Sequence, residues 1–152
     1  MTTKGKSLAL SEARDALHPN CIICSRFNPR GLQLDFAFDE IERCITAEFQ
    51  LDGSLQGYPG TPHGGVISSV FDAAMGNWLF ANGLAGVTAE LKMKFRHPIK
   101  LETTAAVKAW LNRGSHPLYL LEAHIVQEGQ IKAWATGKFM HKPELADPDK
   151  LA

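Results

Sequence analysis

The 152-residue chain carries 16 Lys and Arg against 16 Asp and Glu, a formal net charge of zero, and 45% of its residues are hydrophobic, enough for one domain with a real core. The balanced charge gives no electrostatic case for nucleic acid or an anionic membrane as partner. No apolar run is long enough to span a bilayer, and Met1 to Ser7 lacks the apolar core of a secretory signal, so the expectation is a soluble, cytoplasmic protein.

Leu8 to Leu17 reads as a short helix with Leu10, Ala13 and Leu17 on a narrow apolar stripe, stopped by Pro19. Three cysteines, Cys21, Cys24 and Cys44, make an odd count that argues against a disulfide framework and for free thiols. The spacing His18-x-x-Cys21-x-x-Cys24 could hold zinc, but a structural site wants four ligands and no second pair follows. The expectation is therefore no metal, with the thiols packed in a loop. Asn28-Pro29-Arg30-Gly31 is a turn, and residues 1–31 read as a helical and irregular lead-in.

A domain spanning residues 32–142 follows. Leu32, Leu34, Phe36 and Phe38 alternate with polar or small residues as a half-buried strand, and Ile41 to Leu51 alternates again as its hairpin partner. The loop Gln56 to Gly65 is stiffened by Pro59 and Pro62 and loosened by four glycines, and it runs straight into a helix of about four turns over Val66 to Phe80. That helix is apolar on nearly all sides and should be buried.

Asp72 sits in the middle of it, and a carboxylate there needs an explanation. Gly64, Ser68, Asp72 and Gly76 share one small, polar side, which leaves room for another chain, a water or a ligand, and puts Ser68 or Ser69 within reach of the carboxylate. Gly64 and Gly65 place unpaired N–H groups at the helix start, where the dipole favours negative charge. Oxyanion donors plus a carboxylate are what hydrolysis of an ester or thioester needs.

Asn82-Gly83 and Gly86 stop the helix. Val87, Ala89, Leu91, Met93 and Phe95 then alternate with Thr88, Glu90, Lys92, Lys94 and Arg96, giving a strand with one apolar and one polar face. Leu101 to Leu111, Leu118 to Gln127 and Ile131 to His141 follow, separated by breaks at Asn112–Ser115 and Glu128–Gln130. The last four strands are expected to form an antiparallel meander, and residues 143–152 a frayed tail. The fold class is α+β, a curved antiparallel sheet wrapped around a long central helix, whose edge strands invite a second copy.

The Gly57-x-Pro59-Gly60-x-x-His63-Gly64-Gly65 loop, Asp72 nine residues after the histidine, and Thr88 opening the next strand resemble the hotdog-fold acyl-CoA thioesterases, in the branch of the phenylacetate-degradation thioesterases and the human thioesterase superfamily members. The resemblance covers Leu32 to His141. The Cys21-x-x-Cys24 to Asn28-Pro29-x-Gly31-Leu32 lead-in is similar to a signature in some members of no assigned role.

The resemblance implies that Gly65 N–H polarises the thioester carbonyl, that Asp72 is general base or nucleophile in a site completed by the other subunit, and that Thr88 orients the water. It implies that His63 positions the loop, that no metal or redox cofactor takes part, and that an acyl-CoA is the substrate. Coenzyme A phosphates would meet Arg96, Lys100 and Arg113. A homodimer, or a dimer of dimers, would be the assembly. Gln56 is the nearest polar amide before His63-Gly64-Gly65, and no Glu lies between Val66 and Phe80, where other hotdog thioesterases carry one.

Two other readings stand beside hydrolysis. A hydratase or dehydratase of the same fold has a histidine just before a Phe-Pro-Gly loop, and here the place reads Gly57-Tyr58-Pro59-Gly60. A non-catalytic acyl-CoA sensor would have no need of Asp72.

Overall fold

A computed structural model describes residues 3–146. Its elements are α1 (Thr3–Leu17), β1 (Ala37–Asp39), β2 (Cys44–Phe49), α2 (Gly64–Ala81), β3 (Gly86–Phe95), β4 (Ala105–Ser115), β5 (Leu118–Gln127) and β6 (Gln130–His141), with short 3-10 turns at Gly53–Leu55 and Pro143–Ala146. The frayed tail expected beyond Pro143 falls mostly outside the described residues.

All strands join one antiparallel sheet in the order β1-β2-β4-β5-β6-β3. The expected four-strand meander is therefore corrected to three strands, β4-β5-β6, while β3 crosses to the far edge and pairs with β6. Short connections set the meander, but α2 and the loop of residues 96–104 separate β3 from its sequence neighbours. The break expected at Asn112–Ser115 is also corrected, because β4 continues through it with a bulge between Leu111 and Arg113 and turns at His116-Pro117.

Leu32 to Phe38 keeps the expected alternation of burial, with Leu34, Phe36 and Phe38 inside. Only residues 37–39 join the sheet, however. Leu32 and Leu34 instead donate their N–H groups to Ile22 O and Ile23 O, both at 2.8 Å, so the lead-in closes over this segment.

The expected buried helix is α2, eighteen residues long, with Ile67, Val70, Phe71, Met75, Leu79 and Phe80 among its buried side chains. It packs against β2, β3, β4, β5 and β6 on one side of the sheet and against α1. The inner face of β6 is reduced to Ala133, Ala135 and Gly137 where it meets α2. A Cβ on Gly137 would lie 2.6 Å from Met75 Sδ and 2.7 Å from Phe139 Cε2. Gly83, with φ +72°, ends α2 as expected.

Candidate active site

The start of α2 is built by its own loop. His63 N–H donates to Leu55 O at 2.8 Å, Gly57 N–H to Thr61 O at 3.0 Å, and Gln56 bridges Pro62, so the Gly- and Pro-rich segment folds back on itself. Gln56 Oε1 accepts from Gly60 N–H at 3.5 Å, which occupies it within the loop. His63 is the N-cap of α2, and its Nδ1 accepts from Gly65 N–H at 2.8 Å. The Gly65 donor, expected to be free, is thus held by a ring nitrogen, whereas among the described residues no acceptor holds the Gly64 N–H.

Gly64, Ser68, Asp72 and Gly76 lie on the side of α2 that is not buried, together with Gly65, Val66 and Ser69. Ser68 and Ser69 do not bond the carboxylate. Their hydroxyls donate to Gly64 O at 2.8 Å and Gly65 O at 2.9 Å, the back-bonding open to any helical serine. The partner of Asp72 is Thr88, whose Oγ1 donates to Asp72 Oδ1 at 2.5 Å.

That contact depends on a bulge. Simple alternation puts Thr88 on the polar face with Glu90, Lys92 and Lys94. The register shifts between Thr88 and Glu90, so Thr88 lies opposite Phe139 and Glu90 opposite Lys138, with Ala89 as the extra residue. Phe139 is buried on the helix side. The bulge therefore turns Thr88 inward to meet Asp72, a common use of bulges beside functional groups.

A cavity of about 540 Å³ opens at the N-terminus of α2. Gly64, Ile67, Tyr58, Phe95 and Arg96 contribute to its wall, which is mostly apolar. Asp72 does not line it and lies about 12 Å further along the helix axis from Gly64. Tyr58, 86% exposed, and Phe95, 51% exposed, are wall residues that the sequence reading passed over. An aromatic side chain in a Gly-Pro loop and an apolar residue closing an edge strand were the available signals.

Of the three cations proposed for phosphate, Arg96 lines this cavity. Lys100 Nζ is 3.0 Å from the Glu128 carboxylate, and Arg113 borders a separate hollow at the β4–β5 hairpin.

In the lead-in, Cys21, Cys24 and Cys44 are all free thiols. The neighbouring Cys24 side chain, and then His18 and backbone N–H groups, push the Cys21 thiol down to about 3 against the opposing effect of burial. Cys24 is raised, first by the adjacent Cys21 sulfur and then by burial.

The sequence profile of the thioesterase superfamily matches residues 59–133. Acyl-coenzyme A thioesterase THEM4 of Rattus norvegicus is 30% identical over 124 residues, which cover 79% of this chain and 52% of that protein. The chain thus spans about half the length of this curated relative. Among solved structures, the E. coli PaaI protein from the phenylacetic acid degradation operon superposes with a TM-score of 0.74 at 19% identity, covering 90% of this chain and 95% of that one. A hypothetical thioesterase from Streptococcus pneumoniae, solved with coenzyme A, superposes with a TM-score of 0.63 at 20% identity, covering 65% and 78%.

The fold is of the hotdog type, and His63, Gly65, Asp72 and Thr88 all lie within the matched segment. The segment 59–133, which carries Asp72 and Thr88, is thioesterase-superfamily sequence.

Proposed function

We propose that the chain hydrolyses an acyl-CoA to the free acid and coenzyme A, with Asp72 as general base or nucleophile. The observation that carries this reading is the Asp72–Thr88 hydrogen bond on the one open side of an otherwise buried helix. A carboxylate is kept there by a specific partner and not by chance exposure. The similarity to an acyl-coenzyme A thioesterase and the coenzyme A in the Streptococcus pneumoniae neighbour support the substrate class.

In this mechanism Thr88 fixes one oxygen of the carboxylate, which leaves the other to take a proton from water or to attack the thioester carbonyl. The developing oxyanion would lie at the N-terminus of α2 of a second copy, where the dipole and the Gly64 and Gly65 N–H groups favour it. The thioester carbonyl competes with His63 Nδ1 for the Gly65 donor, so the ring turns aside as substrate enters. Arg96, on the cavity wall, would meet a coenzyme A phosphate.

The distance along α2 between Asp72 and the cavity fits a site shared by two copies. β3 is an edge strand whose Val87 and Phe95 are 39% and 51% exposed, and an unpaired apolar edge of this kind is a template for a second chain. Pairing there would cover the open side of α2 and supply the missing wall.

The test is release of free thiol across a panel of acyl-CoA esters. Turnover of at least one ester is expected. Tight binding of the esters without turnover of any would favour the sensor reading and overturn hydrolysis.

A further inference from the structure

The turn that leaves α1 gathers three soft ligand atoms at one point. His18 follows the last residue of α1, and the chain doubles back at once, with Ser25 N–H donating to Cys21 O at 3.1 Å. A ring nitrogen of His18, Cys21 Sγ and Cys24 Sγ all lie within 4.8 Å of one another, and Cys24 Sγ is 3.9 Å from His18 Nδ1. Packing alone does not require this convergence, because thiols are weak hydrogen-bonding groups and a loop held by apolar contacts has no reason to aim a ring nitrogen at two sulfurs.

Three surrounding features fit a bound cation. Ile23 N–H donates to Cys21 Sγ at 3.4 Å, the outer-shell bond that steadies a charged sulfur ligand. The His18 ring is oriented by an edge contact with Phe80 of α2, with centroids 4.9 Å apart. Asn77 of α2, one turn before the Phe80 that touches His18, is 1% exposed. Its Nδ2 donates to Ala73 O at 2.8 Å, but its Oδ1 has no partner among the described residues. A buried amide oxygen without a donor is unusual and calls for a ligand or a water held nearby.

We propose that His18, Cys21 and Cys24 bind a divalent cation of the zinc class, leaving the fourth position to a water that donates to Asn77 Oδ1. Two sulfurs and an imidazole are a soft donor set suited to zinc, and three protein ligands plus one open position is a known zinc arrangement. Bond lengths of about 2.1–2.3 Å put tetrahedral donors roughly 3.5–3.8 Å apart, so the site closes by about 1 Å or less. Each thiol releases its proton to solvent as its sulfur takes the ion. Two thiolates then cancel the double positive charge, and the neutral centre is tolerated at Cys24, which is 3% exposed. His18 is exposed and Cys21 half-buried, which gives the ion a way in. The bound ion would staple the end of α1 to the turn that bonds residues 32–34, apart from the proposed acyl-CoA site and independent of its chemistry.

The test uses the full chain, purified reduced, loaded with Zn²⁺ and dialysed against metal-free buffer. About one zinc is expected to stay with each chain, and Co²⁺ titration should give sulfur-to-cobalt charge-transfer absorption saturating near one equivalent. Cys21→Ser and His18→Gln should each lose both signals while unfolding at the temperature of the metal-free wild type. Wild type that holds no zinc and gives no cobalt band overturns the proposal, as does a band unchanged in Cys21→Ser. Mild oxidation joining Cys21 to Cys24, with no cobalt band in the reduced chain, makes the turn a redox pair and equally sinks the metal site.

Discussion

At the scale of single residues, Asp72 and His63 hold the two ends of the candidate site in different ways. Asp72 is bonded across to β3, whereas His63 is bonded back into its own helix as the N-cap. Replacing a side chain that caps a helix costs roughly 0.5–2 kcal/mol. His63→Ala is therefore expected to lower stability by about 1 kcal/mol in denaturant titration while reducing thioester turnover less than tenfold. A loss as deep as that of an Asp72 variant would instead make His63 a proton carrier. Asp72 was legible in the sequence because a carboxylate on an apolar helix has few explanations. Resemblance picked out Thr88 as a residue that orients water, but its bond to Asp72 was not legible. The serines one turn away were misread, since a helical Ser or Thr hydroxyl can always choose the carbonyl four residues back, and no sequence pattern decides between that and a neighbour.

At the scale of elements, the contact between α2 and the sheet depends on where side chains are absent. Gly137 lets Met75 lie against β6, and both Met75 and Phe139 are fully buried, so neither can retreat from an added methyl. Gly137→Ala is expected to cost about 1–3 kcal/mol by overpacking, read as a lower denaturation midpoint at unchanged slope. A neutral effect would mean that α2 sits further from the sheet than described.

Helix α2, β5 and the hairpin of β1 with β2 were readable from periodicity and turn residues. The place of β3 was not, because hydrophobic alternation fixes which face a strand buries but not which neighbour it takes. Nor was the Ala89 bulge readable: an extra residue in a ladder is visible only against its partner strand, and it reverses the face of every residue before it. The sequence placed Thr88 among solvated lysines, and the bulge moves it to Asp72. Gln127 was likewise invisible. Buried at 1% exposure, it accepts from Lys100 N–H at 2.8 Å and donates to Lys100 O and Thr103 O, both at 3.0 Å, fixing the segment that follows the cavity wall.

At the scale of the whole molecule, the open side of α2 with Asp72 and the exposed Phe95 at the end of the β3 edge are what the proposed second copy would cover. On the proposal that a second copy completes the site, activity per chain is expected to fall on dilution in parallel with a rise in the monomer fraction read by sedimentation. Constant activity in the monomer would place the complete site within one chain. The most direct measurement is the rate of free-thiol release from a hydrolysed acyl-CoA ester by Asp72→Asn beside wild type, with folding and assembly matched. Loss of a general base or nucleophile should lower turnover by about a hundredfold or more, with sedimentation and circular dichroism unchanged from wild type. Turnover equal to wild type would remove Asp72 from the chemistry.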